Sequence, residues 1–196
     1  MKNTLIFLII TLLIHSMSAQ SSELPLKQIP PAEKSFTSGN VIARMIEGLG
    51  HRYYWASKDL KENDLAYKPS DDARNMLETL QHIYGLSSVI KNGPSNTVNT
   101  RGEDLTKYSY AELRKMTLEN LNNAATQLKG KSADDVAKMK VIFKRGEQES
   151  AFPFWNMING PIADAIYHTG QVVTMRRSNG NPIQSGVNVF LGTTKE

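Results

Sequence analysis

Asp164, His168 and Gln171 fall four and three residues apart in the stretch GPIADAIYHTGQVVTMRRSNG, residues 160–180. On a helix, at about 100° per residue, they line up with Met175 in one narrow stripe, so a carboxylate, an imidazole and a carboxamide point the same way. Ile162, Ala165, Ile166, Val172 and Val173 flank them, which predicts that the pair faces a packed interior, where polar groups need partners. The partner is either another side chain or a metal ion. Of the other histidines, His82 lies on the flank of an apolar helical face, between Leu86 and Val89 and away from Gln81 and Gly85. His51 shares a polar face with Arg44, Glu47 and Lys58 and is expected to be solvated. His82, Asp164 and His168 together make two imidazoles and a carboxylate. This is a sufficient set for zinc in a catalytic arrangement, with three protein ligands and one position left for water or substrate. The same donors accept Ni, Mn or Fe. On pattern alone, a metal centre and a structural Asp–His hydrogen bond are equally open.

Four amphipathic segments must position these residues. Gly39 to Leu60 carries Ile42, Met45, Ile46, Leu49, Tyr53, Ala56 and Leu60 at helical spacing; Arg52 sits at the edge of that face. After a polar loop from Lys61 to Arg74, a second helix opens on Asn75, with Glu78 three residues on, and runs to about Ile90 before Asn92-Gly93-Pro94. Its core face is Met76, Leu80, Ile83, Ser87 and Ile90. Beyond a loop from Ser95 to Lys107, Ser109 and Glu112 form a capping box for a third helix, which reaches Leu128 and ends at Gly130. Met139 to Phe143 reads as a short strand or extended segment leading to an aromatic cluster, Phe152, Phe154 and Trp155, expected to pack on the helices. Pro161 suits the first turn of the fourth helix, with Phe154 to Asn159 able to form a helical turn before it. The expected fold is all-α, an antiparallel four-helix bundle with an extended N-terminal arm and a C-terminal tail, whose facing helices build the site.

Composition narrows the function classes. The 196 residues include 40% hydrophobic ones, enough for one core, and no cysteine, which excludes a disulfide framework, a thiol nucleophile and a sulfur-ligated zinc site. Lys2 followed by the apolar run Leu5 to Ile14 and small residues to Ala19 has the form of a signal peptide, too short to span a bilayer. The expected division is residues 1–19 as signal, 20–37 as a Pro-containing arm and 38–196 as the bundle domain, in an exported protein, periplasmic or extracellular. The net charge of +4 is dispersed among acids, which argues against a nucleic-acid partner. The remaining partner expectations are a small-molecule substrate, no stable membrane insertion after signal cleavage, and a homodimer as the candidate assembly.

The segments LQHIYGL and ADAIYHTGQVVTMRRSNGNP, with GHRYYWASKDL on the first helix, resemble the DinB-like family of four-helix-bundle metalloproteins. That family typically carries a histidine on helix two and an HxxxH pair, the last histidine followed by x-G-Q, on the final long helix. The resemblance implies that His82 is the helix-two ligand, that His168-Thr169-Gly170-Gln171 is the H-x-G-Q, and that Asp164 stands where the first histidine of the pair usually is. Aspartate binds zinc at a similar distance, although its negative charge should leave bound water less acidic than three histidines would. It also implies a divalent metal cofactor, Zn or Ni first, with Mn or Fe also accommodated.

Known family members include metal-dependent transferases that activate small thiols, and many are regarded as hydrolases. An exported protein meets few reduced thiols, so the preferred expectation is a metal-dependent hydrolase-like enzyme acting on a small molecule. In it Gln171 serves as a catalytic, substrate-positioning or ligand-orienting group. Glu78, one turn before His82, faces solvent and is no convincing general base. The alternatives are a non-enzymatic bundle for a small ligand or a metal, a thiol-dependent transferase, and an oxidative iron site of the two-histidine, one-carboxylate type.

Overall fold

A computed structural model describes residues 23–100 and 102–195. The signal-peptide expectation for residues 1–19 lies outside the described residues.

The local capping chemistry expected from the sequence forms. Helix α1, Ser38–Ala56, starts at Thr37, whose hydroxyl accepts from Asn40 N at 3.2 Å. After a short α2, Glu62–Ala66, helix α3, Met76–Asn92, opens on the Asn75 and Glu78 box, closed by hydrogen bonds of 2.8 and 2.7 Å. Ser109 and Glu112 open α4, Tyr110–Leu128, in the same way. A short α5, Ala133–Ala137, follows, and the C-terminal helical region begins with α6, Trp155–Met157. It then passes through a π-helical turn at Ile158–Ile162 and continues as α7, Ala163–Ser178. Pro161 thus lies inside the helical run and not at its first turn. Because proline has no N–H to donate, the wider turn carries the chain past it.

Helix α1 packs on α4 and α7, and α3 packs on the same two helices. The shared core includes Ile46, Leu49, Tyr53, Leu80, Ile83, Leu121, Leu128, Ala165 and Val172, all 1% exposed or less. The protein is mostly helical, but it also carries two small sheets, where an all-α chain was expected. Strand β1, Val98–Thr100, runs parallel to β2, Lys140–Arg145, which pairs antiparallel with β3, Gln148–Pro153. The β2–β3 link is the two-residue turn at Gly146 and Glu147, where Gly146 takes φ +59. Only Phe154 of the expected aromatic cluster is buried; Phe152 and Trp155 are 42% and 77% exposed. The C-terminal tail folds back as β4, Val187–Asn188, on β5, Thr193–Thr194.

The N-terminal arm is held down. Leu26 is buried against Gly50, where an added Cβ would lie 2.1 Å from Leu26 Cδ1, so glycine is needed for the approach. The Lys27 carbonyl accepts from Trp55 Nε1 at 3.0 Å, and Ile29 N donates to Gly192 O at 2.8 Å.

A buried polar network joins α7 to the end of α1. Arg176, 3% exposed, donates through Nη1 to the carbonyls of Trp55, Ala56 and Lys58 at 3.0, 3.1 and 2.9 Å, and through Nε to Asn181 O. The C-terminal carbonyls of a helix otherwise lack donors. A cation near the end of α7 complements that helix's own dipole, but the Arg176 guanidinium lies across the core, on the end of α1. Asp64, 1% exposed, completes the network by accepting from Lys61 N, Asn179 Nδ2 and Asn181 Nδ2.

Burial alone would raise the Asp64 pKa, but those donors and the Arg176 charge hold it below the usual carboxylate value. A depressed folded-state pKa contributes stability above the unfolded-state value, near 3.9, and that stability is lost as pH falls through the folded value. Asp64→Asn is therefore expected to lose about 2 kcal/mol relative to the parent in urea unfolding at neutral pH. The gap should close progressively below about pH 4. A gap that does not depend on pH would show that the charge of Asp64 is not what the network holds.

Candidate metal centre

Helices α3 and α7 bring the three sequence-selected residues together. His82 Nε2 donates to Asp164 Oδ2 at 3.2 Å, and His168 Nε2 lies 3.3 Å from Asp164 Oδ1. The two imidazoles stand edge to face, centroids 4.5 Å apart. One ligand atom from each of the three residues falls within 4.8 Å of the others, so the group could hold a metal ion. Gln171, one turn beyond His168, accepts from His168 Nδ1 at 2.7 Å.

These contacts follow from the faces the helices present. Thr79, Ile83 and Ser87 of α3 are buried, and Ala165, Thr169 and Val172 of α7 are buried, which leaves His82, Asp164 and His168 along the seam between them. The expectation of a packed interior holds only in part. The His168 side chain is 13% exposed, but those of His82 and Asp164 are 30% and 42% exposed, and Ile166, expected beside them, faces out. The centre is thus at a solvent-reachable edge.

The proton inventory favours a cation. With Gln171 Oε1 as acceptor, His168 Nδ1 carries the proton, and a neutral ring then has its lone pair on Nε2. Nε2 lies 3.3 Å from Asp164 Oδ1, another acceptor. A cation held near both atoms would satisfy the two acceptors. The donor types fit a divalent metal, and one ligand atom of each residue lies within 4.8 Å of the others. Burial holds the His82 imidazole below the usual histidine pKa, against the raising effect of its bond to Asp164, and the charges of His168 and Arg74 act in the same direction as burial. A neutral imidazole is the form that binds metal.

Two clefts flank the centre, one reaching His168 and the other His82. One, of about 360 Å³, is lined by Tyr67, Arg74, Thr79, His168, Gln171 and Met175, among others. The other, of about 670 Å³, is lined by His82, Gln81, Gly85, Glu103 and Pro161, among others. Tyr67 and Arg74 come from the segment before α3, where no periodicity marks them. Glu78 is exposed and its carboxylate is spent on the Asn75 cap, which agrees with its dismissal as a base.

His51 departs from the sequence reading. It is fully buried, not solvated, with Nδ1 donating to Lys27 O at 2.9 Å and Nε2 lacking a partner among the described residues. The arm covers the polar side of α1, so a face that reads as solvent from one helix becomes interior. His51 takes no part in the metal-capable group. Arg52 bonds Gly48 O of its own helix.

No model of a known protein family matches the chain, and no characterised protein is similar enough to match it.

Because the cluster is partly exposed, it should contribute little to the stability of the metal-free protein. Asp164→Ala is expected to shift the unfolding free energy by less than about 1 kcal/mol in the presence of chelator. A loss of several kcal/mol in the same urea titration would mark the cluster as a structural hydrogen-bond pair.

Proposed function

We propose that the chain is an exported, metal-binding four-helix bundle of the DinB-like type, with a hydrolase-like activity on a small molecule. The observation that carries this reading is the convergence of His82, Asp164 and His168, one ligand atom of each within 4.8 Å of the others, with Gln171 accepting from His168 Nδ1 so that Nε2 is free to ligate. The pairing of α1 and α3 against α4 and α7 supports the bundle. Export rests on the apolar leader read from the sequence. No helix among the described residues is long and apolar enough to cross a membrane.

His82, Asp164 and His168 would hold the cation and leave one coordination position open to the clefts. Bound there, a divalent metal supplies Lewis-acid activation of a water or a substrate oxygen. The chain's own groups do the rest. Gln171 holds the His168 ring in the ligand tautomer, as partners outside a metal shell commonly do. The solvent-reachable edge admits a small molecule, and Asp164 offsets one of the two metal charges. Zn or Ni suits the donor set, and Mn or Fe is compatible with it. Glu78 is committed to its cap, so the proton-accepting group in turnover is more readily the solvent or the substrate than a side chain of α3.

Protein loaded with Zn²⁺ and then desalted is expected to keep about one equivalent by elemental analysis. Gln171→Leu should weaken the metal by about 10- to 100-fold in chelator competition, and His168→Ala should weaken it further. Retention by His168→Ala equal to the parent's would overturn the site. Metal-dependent turnover in a screen of small esters and amides supports the hydrolase reading. Tight metal binding without turnover there or in a thiol-transfer screen supports the non-enzymatic one.

A further inference from the structure

The clefts on either side of the centre differ in charge, and the difference selects a ligand. The larger one contains the Glu103 carboxylate, which accepts from Tyr84 and Tyr108 and pairs with Lys107 at 3.5 Å. Lys91 lines it as well, so both signs of charge are present there. The smaller one, on the His168 and Gln171 side, contains no carboxylate. Its walls are mainly apolar, from Tyr67, Pro69, Ala73 and Met175, with the hydroxyls of Thr79, Thr174 and Ser178 between them. Arg74 is its one charged side chain, is exposed, and takes part in no ion pair or hydrogen bond among the described residues. At about 360 Å³ the cleft is in the size range of small-molecule sites. An unpaired guanidinium beside an apolar wall is a fork-shaped receptor for a planar anion.

From this we infer that the cleft formed by the segment before α3 and by α7 binds a small organic anion of the carboxylate class, with Arg74 pairing the carboxylate and the Tyr67, Pro69 and Met175 wall covering an apolar body. The inference deepens the functional reading above by naming the substrate class of that centre. Neutral or cationic molecules of the same size leave Arg74 unpaired and gain only the wall. Arg74 is a specificity residue, since it pairs the ligand's carboxylate and is not among the metal-capable residues.

The test uses metal-stripped protein, because a carboxylate could otherwise bind the metal itself. Calorimetric or NMR titration compares 4-phenylbutyrate, 4-phenylbutanol and 4-phenylbutylamine, which share one apolar body. The carboxylate is expected to bind at least about tenfold more tightly than the alcohol, as a hydrogen-bonded charge pair allows, and the amine should bind most weakly. Shifted resonances should fall on Tyr67, Gln171 and Thr174. Arg74→Gln should bring the carboxylate down to the alcohol, Arg74→Lys should leave part of the preference, and Arg177→Gln, on the exposed side of α7, should change nothing. Absence of binding by any probe, equal binding of acid and alcohol, or a preference that survives Arg74→Gln would overturn the inference. Zn²⁺ affinity is measured separately on the same preparations. Carboxylate preference without zinc binding removes the metal reading and keeps the cleft; zinc binding without carboxylate preference does the reverse.

Discussion

Everything at the candidate centre depends on where α7 lies, and the Arg176 guanidinium fixes that helix from within the core. One side chain near the end of α7 satisfies three carbonyls at the end of α1 and the backbone of the following turn. Asp64 secures the same turn from α2 through Asn179 and Asn181. A buried charge is tolerated only when its donors are used, and here they are used on backbone groups that would otherwise be left without partners. With its C-terminal end held against α1, α7 presents Asp164 and His168 to α3 along a seam that apolar packing of Ala165, Val172 and Ile83 closes behind them.

That seam creates an unusual electrostatic demand. Two imidazoles converge on one carboxylate, and Gln171 occupies the far nitrogen of His168, so the near nitrogen and the carboxylate both have lone pairs to share. A divalent cation answers it through the imidazole lone pairs and the carboxylate together. Partial exposure keeps the arrangement reachable. The clefts on either side then divide the surroundings into a polar half around Glu103 and an apolar half around Arg74.

Much of this is legible from local sequence. Asn75 with Glu78 and Ser109 with Glu112 form their caps as written, because a capping box involves only four residues. The inward faces of α3 and α4 follow the helical period, and Asp164, His168 and Gln171 share a stripe because three and four residues complete a turn. What eluded the sequence depends on parts of the chain far from the residue concerned. His51 reads as solvated until Leu26 and Lys27 cover it, and nothing local marks Arg176 as the partner of the α1 carbonyls. Strand β1 has only three residues, too few for a period, and is fixed by its ladder to β2 and by Asn99 donating to Ile142 O. Pro161 reads as a helix start because the π-helical turn that accommodates it leaves no sequence mark.

The central claim is that His82, Asp164 and His168 together ligate a divalent metal. Diffraction from crystals grown with Zn²⁺, recorded above and below the zinc absorption edge, addresses it most directly. The account predicts one anomalous peak about 2.0–2.2 Å from His82 Nε2, His168 Nε2 and an oxygen of Asp164, with Gln171 still accepting from His168 Nδ1. Zinc bound elsewhere, or a cluster still hydrogen-bonded with no anomalous peak between α3 and α7, would contradict it.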